Sequence, residues 1–395
     1  MLHLSAPALA RLLPEWRGAA PGRPGYAALA AAVRALVLDG RVAVGARLPA
    51  ERDLAGQLGV SRTTVTAAYD ALRASGHAVS RQGAGTFAAL PAGARASWSD
   101  AGPGLLDLAL ASPEPLPGLV EGALERAAPR LARHLRATGY VPPGLPELRE
   151  ALAARCTARG VPTTADQVLV TSGAMGALAL AGRLLAPGDR VLADGPTYPN
   201  ALEALRAGGG RVASVPLLPD GWDVEAHAAA YRQVGPTLAY LVADFHNPTG
   251  LVLDAPGREA LVAAAARNGV SLLVDETLAD LALEGQQLPP PVAAYDEDGR
   301  VLTVGSMSKS HWGGLRVGWL RGPADVVARL VEARAAVDLA PPVLDQLVAL
   351  ELLADDTAVA RRQRQVAERR DVALEALGAQ LPDWEVRRPA GGLSL

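Results

Sequence analysis

The stretch Gly305-Ser306-Met307-Ser308-Lys309-Ser310, followed by Gly314-Leu315-Arg316-Val317-Gly318-Trp319, organises the rest of the chain. Lys309 is the one lysine among 38 basic residues, so the other 37 (38 − 1) are arginine. A guanidinium stays protonated in proteins, whereas an amine can lose its proton and attack a carbonyl. A single lysine therefore indicates Schiff-base chemistry, although arginine-rich composition alone can also leave one lysine by chance.

The neighbours of Lys309 favour the chemical explanation. Ser306 and Ser308 offer hydroxyl donors, and the guanidinium of Arg316 can bond two oxygens of a phosphate dianion at once. An amine beside a phosphate site is what pyridoxal phosphate (PLP) requires of its protein. We therefore predict that PLP is the cofactor and that Lys309 anchors it.

Length and composition indicate a globular protein with room for two domains. The chain has 395 residues, of which 50% are hydrophobic and 20% charged. The lone Cys156 excludes an intramolecular disulfide and fits a reducing cytoplasm. No apolar run reaches about 18 residues, and the N-terminus lacks a signal-peptide layout. We expect a cytoplasmic protein with no membrane span and no metal site.

Charge is spread unevenly along the chain. Residues 1–90, which we call the head, carry ten arginines against five acids, or +5, which leaves −8 for the remainder of a chain with net charge −3. A basic head on an acidic body predicts that only the head meets a polyanion.

The head has the pattern of a helix-turn-helix. Apolar spacing predicts a helix from about Tyr26 to Gly40 and a second from Pro49 to Gly59. Ser61 can cap a third helix. The predicted buried faces are Leu29, Val33, Leu36 and Val37 in the first helix, and Val65, Ala68, Tyr69 and Leu72 in the third. Residues 78–87 then read as two short strands, a wing whose Arg81 can reach phosphate or a minor groove.

Residues 48–55 and 60–65, with the wing, resemble the winged-helix domain of GntR-type transcriptional regulators. By that resemblance the residues that touch double-stranded operator DNA are Arg52, Arg62, Thr63 and Thr64, with Ser61 near phosphate. A solvated helix face is the alternative for each residue taken singly. Residues 91–104 are rich in Ala, Gly, Pro and Ser and predict a linker, and residues 105–395, the body, form the second domain.

In the body, helical and strand-like segments alternate, which predicts an α/β fold with a mainly parallel sheet. Ligand groups in such folds sit at the carboxyl ends of strands. The candidate strands are 168–171, 190–193, 212–215, 238–242, 271–274 and 302–304.

Candidate site residues follow these strands. The turn at Gly173-Ala174 can hold a phosphate or be an ordinary strand-to-helix turn. Tyr198 can stack on a pyridine or simply pack in the core. Asn247 can donate to a phenolic oxygen. Asp275 can pair with a protonated ring nitrogen or cap a helix.

The order of these motifs resembles fold type I aminotransferases of class I/II. The motifs are Gly139-Tyr140, Gly144 to Arg149, Gly173-Ala174, Tyr198, Asn247-Pro248-Thr249-Gly250, Asp275, Ser306 to Lys309 and Arg316. By that resemblance Lys309 is the covalent anchor, Asp275 meets the ring nitrogen, Asn247 meets the phenolic oxygen, Tyr198 stacks, and Ser306, Ser308, Arg316 and the amides of Ala174 and Met175 hold the phosphate. Tyr140 would reach the phosphate of the partner subunit, since family sites lie at a dimer interface.

A GntR-type head fused to such a body resembles the MocR subfamily of bacterial regulators. The resemblance implies a homodimer that binds DNA and responds to PLP or to its adduct with an amine or amino acid. Two alternatives stay open: an active aminotransferase with an incidental head, and a DNA-binding protein whose body is only a dimerisation scaffold.

Two departures from the aminotransferase pattern make turnover less expected. Family members place a tyrosine two or three residues after the aspartate, where this chain has Thr277 and Leu278. The family's small C-terminal domain, with an arginine that clamps a substrate carboxylate, continues past the segment equivalent to 389–393, whereas this chain ends at Leu395. We therefore expect either an incomplete small domain or a truncated form.

Overall fold

The computed structural model describes residues 4–13, 16, 24–38, 41–81, 85–89 and 110–395. The chain divides into two compact units, Met1–Asp107, which contains the head, and Leu108–Leu395. The predicted linker at 91–104 lies outside the described residues. Each unit has a hydrophobic core of its own.

The head is a small helical unit with a two-stranded wing. Its elements are α1 (Ala6–Arg11), α2 (Gly25–Leu38), α3 (Glu51–Leu58), α4 (Arg62–Ala74), β1 (Ala78–Arg81) and β2 (Gly85–Ala88). The two strands pair antiparallel. All eight residues of the predicted apolar faces in α2 and α4 are buried, which confirms both faces. Gly59 ends α3 in the left-handed conformation, at φ 63°, which a glycine adopts without strain.

A seven-stranded sheet forms the centre of the body. Its strands are β3 (Val168–Ser172), β4 (Arg190–Gly195), β5 (Arg211–Pro216), β6 (Leu238–Leu241), β7 (Ser271–Asp275), β8 (Val301–Ser306) and β9 (Val317–Arg321). The strand order is β3-β9-β8-β7-β6-β4-β5. Every pairing is parallel except those of β9, which runs antiparallel to β3 and β8. The mainly parallel sheet and all six predicted strands are confirmed.

Helices cover both faces of this sheet. They are α5 (Leu119–Leu131), α6 (Pro146–Ala158), α7 (Gly173–Leu185), α8 (Pro199–Ala207), α9 (Val224–Val234), α10 (Ala255–Arg267), α11 (Ala324–Arg334), α12 (Val343–Leu353) and α13 (Ala358–Gln380). Alternate strand residues point to opposite faces. Val191 and Ala193 of β4 pack in one core cluster with α7 and α8, whereas Leu192 packs in another with α10. The sheet is thus buried on both faces, so ligand-binding groups can reach solvent only at the ends of its strands.

The sequence prediction lacks β9, which lies within the motif read as a phosphate site. Gly318, its second residue, weakens the strand pattern. A side chain at this position would clash with the backbone, because a Cβ there would lie 2.5 Å from the carbonyl carbon of Gly173. Only a glycine lets β9 run so close to the start of α7.

In the described parts of the chain, no helix is long and apolar enough to cross a membrane, and no group of three or more His, Cys, Asp or Glu residues is placed to hold a metal ion.

Candidate functional site

The sheet topology gathers the predicted cofactor residues at one edge. Strands β4, β6, β7 and β8 are consecutive neighbours and run parallel, so their carboxyl ends meet. Tyr198, Asn247, Asp275 and Lys309 each lie at or just after one of these ends. The order of motifs along the chain therefore becomes a cluster in space.

Lys309 lies on one turn of π-helix, Ser308–Trp312, directly after β8. Its Nζ donates a hydrogen bond to the carbonyl oxygen of Ala111 at 2.5 Å. Burial lowers the pKa of this amine, the charge of Asp275 opposes that effect, and the charge of Arg316 adds to it. The amine thus loses its proton more readily than an exposed lysine, as a nucleophile must.

Asp275 ends β7 and is 5% exposed. Its Oδ1 accepts a hydrogen bond from the backbone N–H of Thr277 at 3.0 Å, and its Oδ2 accepts one from the hydroxyl of Tyr240 at 2.8 Å. The Thr277 bond spans two residues and is not a helix cap, because the helical turn that follows is Ala279–Leu281 and has Leu278 at its N-terminus. The alternative of a helix cap for Asp275 is therefore wrong. The charge of this carboxylate opposes the lowering of the Lys309 pKa.

The phosphate donors lie together between β8, β9 and α7. The hydroxyl of Ser306 bonds that of Ser308 at 2.8 Å, and Arg316 donates to the carbonyl oxygen of Ser172 at 3.1 Å. Ser172 precedes α7 and makes no side-chain cap bond. The first amides of α7, which include those of Ala174 and Met175, are therefore free to bind an anion. We call Ser306, Ser308, Arg316 and these amides the phosphate cup.

A glycine keeps the cup open. Gly173 has φ 72°, and a Cβ on it would lie 2.6 Å from Nη2 of Arg316. A side chain there would displace the guanidinium and fill the space in front of the amides. With an amine of lowered pKa, a buried carboxylate and this cup, the residues present fit PLP.

The remaining cofactor candidates have fewer contacts that bear on a cofactor. Tyr198 is half-buried against the core and its hydroxyl accepts from Asn200 at 3.0 Å. Asn247 is half-buried and precedes a cis peptide bond to Pro248. Tyr140 is 66% exposed. Stacking by Tyr198 and the contact of Tyr140 with a partner subunit stay predictions.

Thr277 and Leu278 occupy the two positions where the family pattern expects a tyrosine, and the second of them is apolar. Leu278 is buried and packs with Phe245 and Leu281. It offers no hydrogen bond to a ring oxygen. The side chain at position 278 therefore contributes to the core beside the site and cannot supply the hydrogen bond that the family tyrosine gives to the ring oxygen.

Two residues near the site are absent from the sequence predictions. Tyr240 stands in the middle of an apolar strand, where an aromatic residue gives no signal of function. Ala111 contributes only a backbone carbonyl, which no side-chain pattern can reveal. Both residues can be identified only from their contacts in the tertiary structure.

In the head, the start of α4 presents a row of hydroxyls. The Ser61 hydroxyl accepts a hydrogen bond from the backbone N–H of Thr64 at 3.1 Å, which confirms the predicted cap. It also lies 2.7 Å from the hydroxyl of Thr63 and 2.8 Å from that of Thr64. These groups can donate to phosphate oxygens.

Three arginines surround a cleft between the helix-turn-helix and the wing. The cleft has a volume of about 470 Å³ and is lined by Arg47, Arg52 and Arg62. Arg62 is 71% exposed and pairs with Glu51 at 3.6 Å. Arg47, which the sequence prediction lacks, packs its guanidinium against Gly85 of the wing. The side chain of Arg81, at the end of β1, lies outside the described residues.

Comparison with protein families assigns both units. Residues 25–88 match the bacterial regulatory proteins, gntR family. Residues 108–395, more than half of the chain, match aminotransferase class I and II. The first match assigns a DNA-binding domain, and the second assigns an aminotransferase class I/II domain, a class of domain that binds PLP.

The similar proteins include both transcriptional regulators and an aminotransferase. YisV of Bacillus subtilis, named an uncharacterized HTH-type transcriptional regulator, is 30% identical, over 90% of this chain and 80% of YisV. MocR of Rhizobium meliloti, named a probable rhizopine catabolism regulatory protein, is 28% identical, over 89% and 77%. The crystal structure of LysN, an alpha-aminoadipate aminotransferase from Thermus thermophilus complexed with N-(5'-phosphopyridoxyl)-L-leucine, is 30% identical with a TM-score of 0.63, covering 70% of this chain and 73% of LysN. The chain therefore belongs to the MocR family of regulators, in which a gntR-type helix-turn-helix domain is fused to an aminotransferase class I/II domain.

Proposed function

We propose that this protein is a cytoplasmic, homodimeric transcriptional regulator that binds operator DNA through its head and PLP through its body. The proposed limits are a head at 1–90, a linker at 91–104 and a body at 105–395. One observation carries the proposal: a chain with an exposed helix-turn-helix also keeps the anchor, the carboxylate and the phosphate cup together at one sheet edge. A scaffold that only dimerises has no use for that constellation.

In the body, each residue acts on one part of the cofactor. When bound, PLP supplies an electron sink for carbanion chemistry. Lys309 forms the covalent link through its amine, and Asp275 holds a proton at the ring nitrogen. The phosphate cup binds the dianion through charge-assisted hydrogen bonds. Tyr198 would pack against the ring, and Asn247 would donate to its phenolic oxygen.

In the head, the exposed surface of α3 and α4 meets DNA. Arg52 and Arg62 would neutralise phosphates or read a base edge, and the hydroxyls of Ser61, Thr63 and Thr64 would bond backbone oxygens. Arg81 of the wing would reach a phosphate or the minor groove.

The effector in this proposal is an amine or amino acid that combines with the bound PLP. Such a ligand controls DNA binding only if it prefers one conformation of the protein over another. Tyr140, which is two-thirds exposed, is available to a second copy of the chain and supports the dimer. Its hydroxyl would then complete the partner subunit's phosphate site.

Sustained transamination is the second candidate function, and the intact Lys309 and Asp275 favour at least a single half-reaction. Leu278 argues against rapid turnover, because no tyrosine hydroxyl at that position tunes the cofactor. Steady conversion of an amino acid to its keto acid by the purified protein would establish this alternative.

The proposal is tested by fluorescence anisotropy of the full-length protein on DNA from upstream of its own gene, with and without PLP. The salt concentration is fixed, because phosphate contacts make affinity steeply salt-dependent. We expect sequence-specific binding whose affinity PLP changes. Affinity that is indifferent to PLP would favour the scaffold alternative, and an absence of specific binding would favour the enzyme.

A further inference from the structure

The carboxylate of Asp275 is held by two donors from the protein. The backbone N–H of Thr277 bonds Oδ1 and the hydroxyl of Tyr240 bonds Oδ2. The first bond is local and would form wherever this turn forms. The second joins two strands and depends on a particular side chain.

Tyr240 is fixed in its role as a donor. It lies on β6, the neighbour of β7, and is 2% exposed. Burial raises the pKa of its hydroxyl well above the ordinary value, and the charge of Asp275 and the hydrogen bond to it raise the pKa further. The phenol therefore keeps its proton at every physiological pH and can only donate to Asp275.

The position of this phenol differs from that of the tyrosine which the aminotransferase pattern leads one to expect. That tyrosine would follow Asp275 by two or three residues, where the chain has Thr277 and Leu278, and Leu278 lies in an apolar cluster. The chain thus has a buried tyrosine hydroxyl beside the site, but it is bonded to the carboxylate instead of being offered to the ring oxygen.

We propose that Tyr240 is a positioning residue for the cofactor, acting through Asp275. Its hydrogen bond to Oδ2, together with the Thr277 bond to Oδ1, fixes the orientation of the buried carboxylate. A carboxylate held in one orientation is what a protonated ring nitrogen needs as a partner. This inference rests on the proposed PLP site and goes beyond it by adding a residue that does not touch the cofactor.

Removing the hydroxyl leaves a buried carboxylate oxygen without its donor. Hydrogen bonds to charged groups contribute enough that the loss of one corresponds to roughly a ten-fold to hundred-fold change in an equilibrium constant. Tyr240→Phe should therefore weaken PLP binding by about that factor. It should also change the absorbance spectrum of the bound cofactor, because the spectrum reports the protonation of the ring.

The experiment titrates full-length wild type and variants with PLP and records the absorbance spectrum of each complex. Tyr231→Phe is the matched control, since Tyr231 is a buried tyrosine of α9 outside the site. Tyr231→Phe should leave affinity and spectrum unchanged. If it moves both as Tyr240→Phe does, the effect is a general loss of core stability and the inference is wrong.

A double-mutant cycle tests whether Tyr240 acts through Asp275. In an Asp275→Asn background the carboxylate charge is gone, so Tyr240→Phe should then cost less than about three-fold in affinity. An undiminished cost in that background would overturn the inference. Leu278→Tyr should likewise fail to rescue Tyr240→Phe. Rescue would mean that Tyr240 acts on the ring oxygen instead of on Asp275.

The outcomes separate this inference from the proposal on which it rests. If wild type takes up no PLP, the proposed function fails and this inference fails with it. If wild type takes up PLP and Tyr240→Phe binds it equally well with the same spectrum, only the inference fails.

Discussion

The two proposed phosphate-binding surfaces, one in the head and one in the body, are built in opposite ways from similar residues. In the head, Ser61 caps α4 with its own side chain and Arg62 is 71% exposed. In the body, Ser172 leaves the start of α7 uncapped, and Arg316 leans against the open turn at Gly173. The head satisfies its helix terminus internally and offers side chains, whereas the body keeps its helix amides for the ligand.

This difference matches the two ligands. DNA is a polyanion met in water, where flexible, solvated cations release counterions and the strength depends on salt. In the proposed cup a single phosphate dianion would meet the buried Ser306 and the fixed amides of a helix terminus, with one exposed guanidinium, and contacts to buried groups are screened much less. Salt should therefore weaken DNA binding steeply and PLP binding only slightly.

Replacing the anchor of the body should have the largest effect and leave the head untouched. Lys309→Ala removes the nucleophilic amine, so the borohydride-reducible adduct with PLP should vanish altogether. Lys309→Arg is the matched variant, because it keeps a cation that cannot attack a carbonyl. DNA binding without PLP should equal that of wild type for both. A reducible adduct in either variant would show that Lys309 is not the anchor.

Emptying the phosphate cup should have the next largest effect. Arg316→Gln removes the guanidinium from a charge-assisted contact, and we expect PLP affinity to fall by roughly ten-fold to a hundred-fold. Arg329→Gln, an exposed arginine of α11, is the control. The measurement is a PLP titration followed by absorbance at two salt concentrations. Equal losses in the two variants would remove Arg316 from the cup.

The lowered pKa of Lys309 should give PLP attachment a pH dependence. Burial lowers the pKa of its amine, so the neutral, reactive form is reached at a lower pH than for a free lysine. The rate of covalent PLP attachment should rise about ten-fold per pH unit below that lowered pKa and level off above it. Stopped-flow absorbance across pH 6 to 10 checks this. A rate that still climbs steeply at pH 10 would contradict the lowered pKa.

In the body, the sequence predicts the residues at the strand ends better than it predicts strand β9 and the contacts between strands. Asp275 and Lys309 each follow an apolar run and carry unusual chemistry, so composition and position point to them. Strand β9 lacks such a signal, because Gly318 weakens its pattern while permitting the close approach to α7. Tyr240 is indistinguishable from an ordinary core aromatic until its hydroxyl is placed 2.8 Å from a carboxylate.

In the head, sequence predicts the helices, the cap and the arginines of α3 and α4. It does not reveal Arg47, which precedes α3 and reaches the cleft only because the glycine at position 85 leaves room for its guanidinium. Sequence patterns identify residues whose interaction partners are close in sequence, whereas contacts between distant segments become visible only in the folded structure.

Arg62 is the counterpart of Arg316 in the head, and its loss should weaken DNA binding by an amount comparable to the loss of PLP affinity expected for Arg316→Gln. Arg62→Ala removes a cation from the DNA-facing surface, and DNA affinity should fall by about 1–3 kcal/mol if it reads a base. If it meets only phosphate, the slope of log affinity against log salt should decrease by about one in magnitude. Arg34→Ala, an exposed arginine of α2 that does not line the cleft, is the control. Unchanged PLP affinity in both variants is expected.

Removing the Ser61 cap of α4, which has no equivalent at the start of α7, should have the smallest effect on stability and binding. Ser61→Ala removes the acceptor for the Thr64 amide, which should destabilise α4 by about 0.5–2 kcal/mol. Ser61→Asp keeps a capping oxygen and adds a negative charge that suits the helix terminus but repels phosphate. Hydrogen exchange of the α4 amides in the full chain should therefore speed up in Ser61→Ala alone, whereas DNA affinity should fall further in Ser61→Asp. If Ser61→Asp binds DNA as well as wild type, this helix terminus does not face the phosphates.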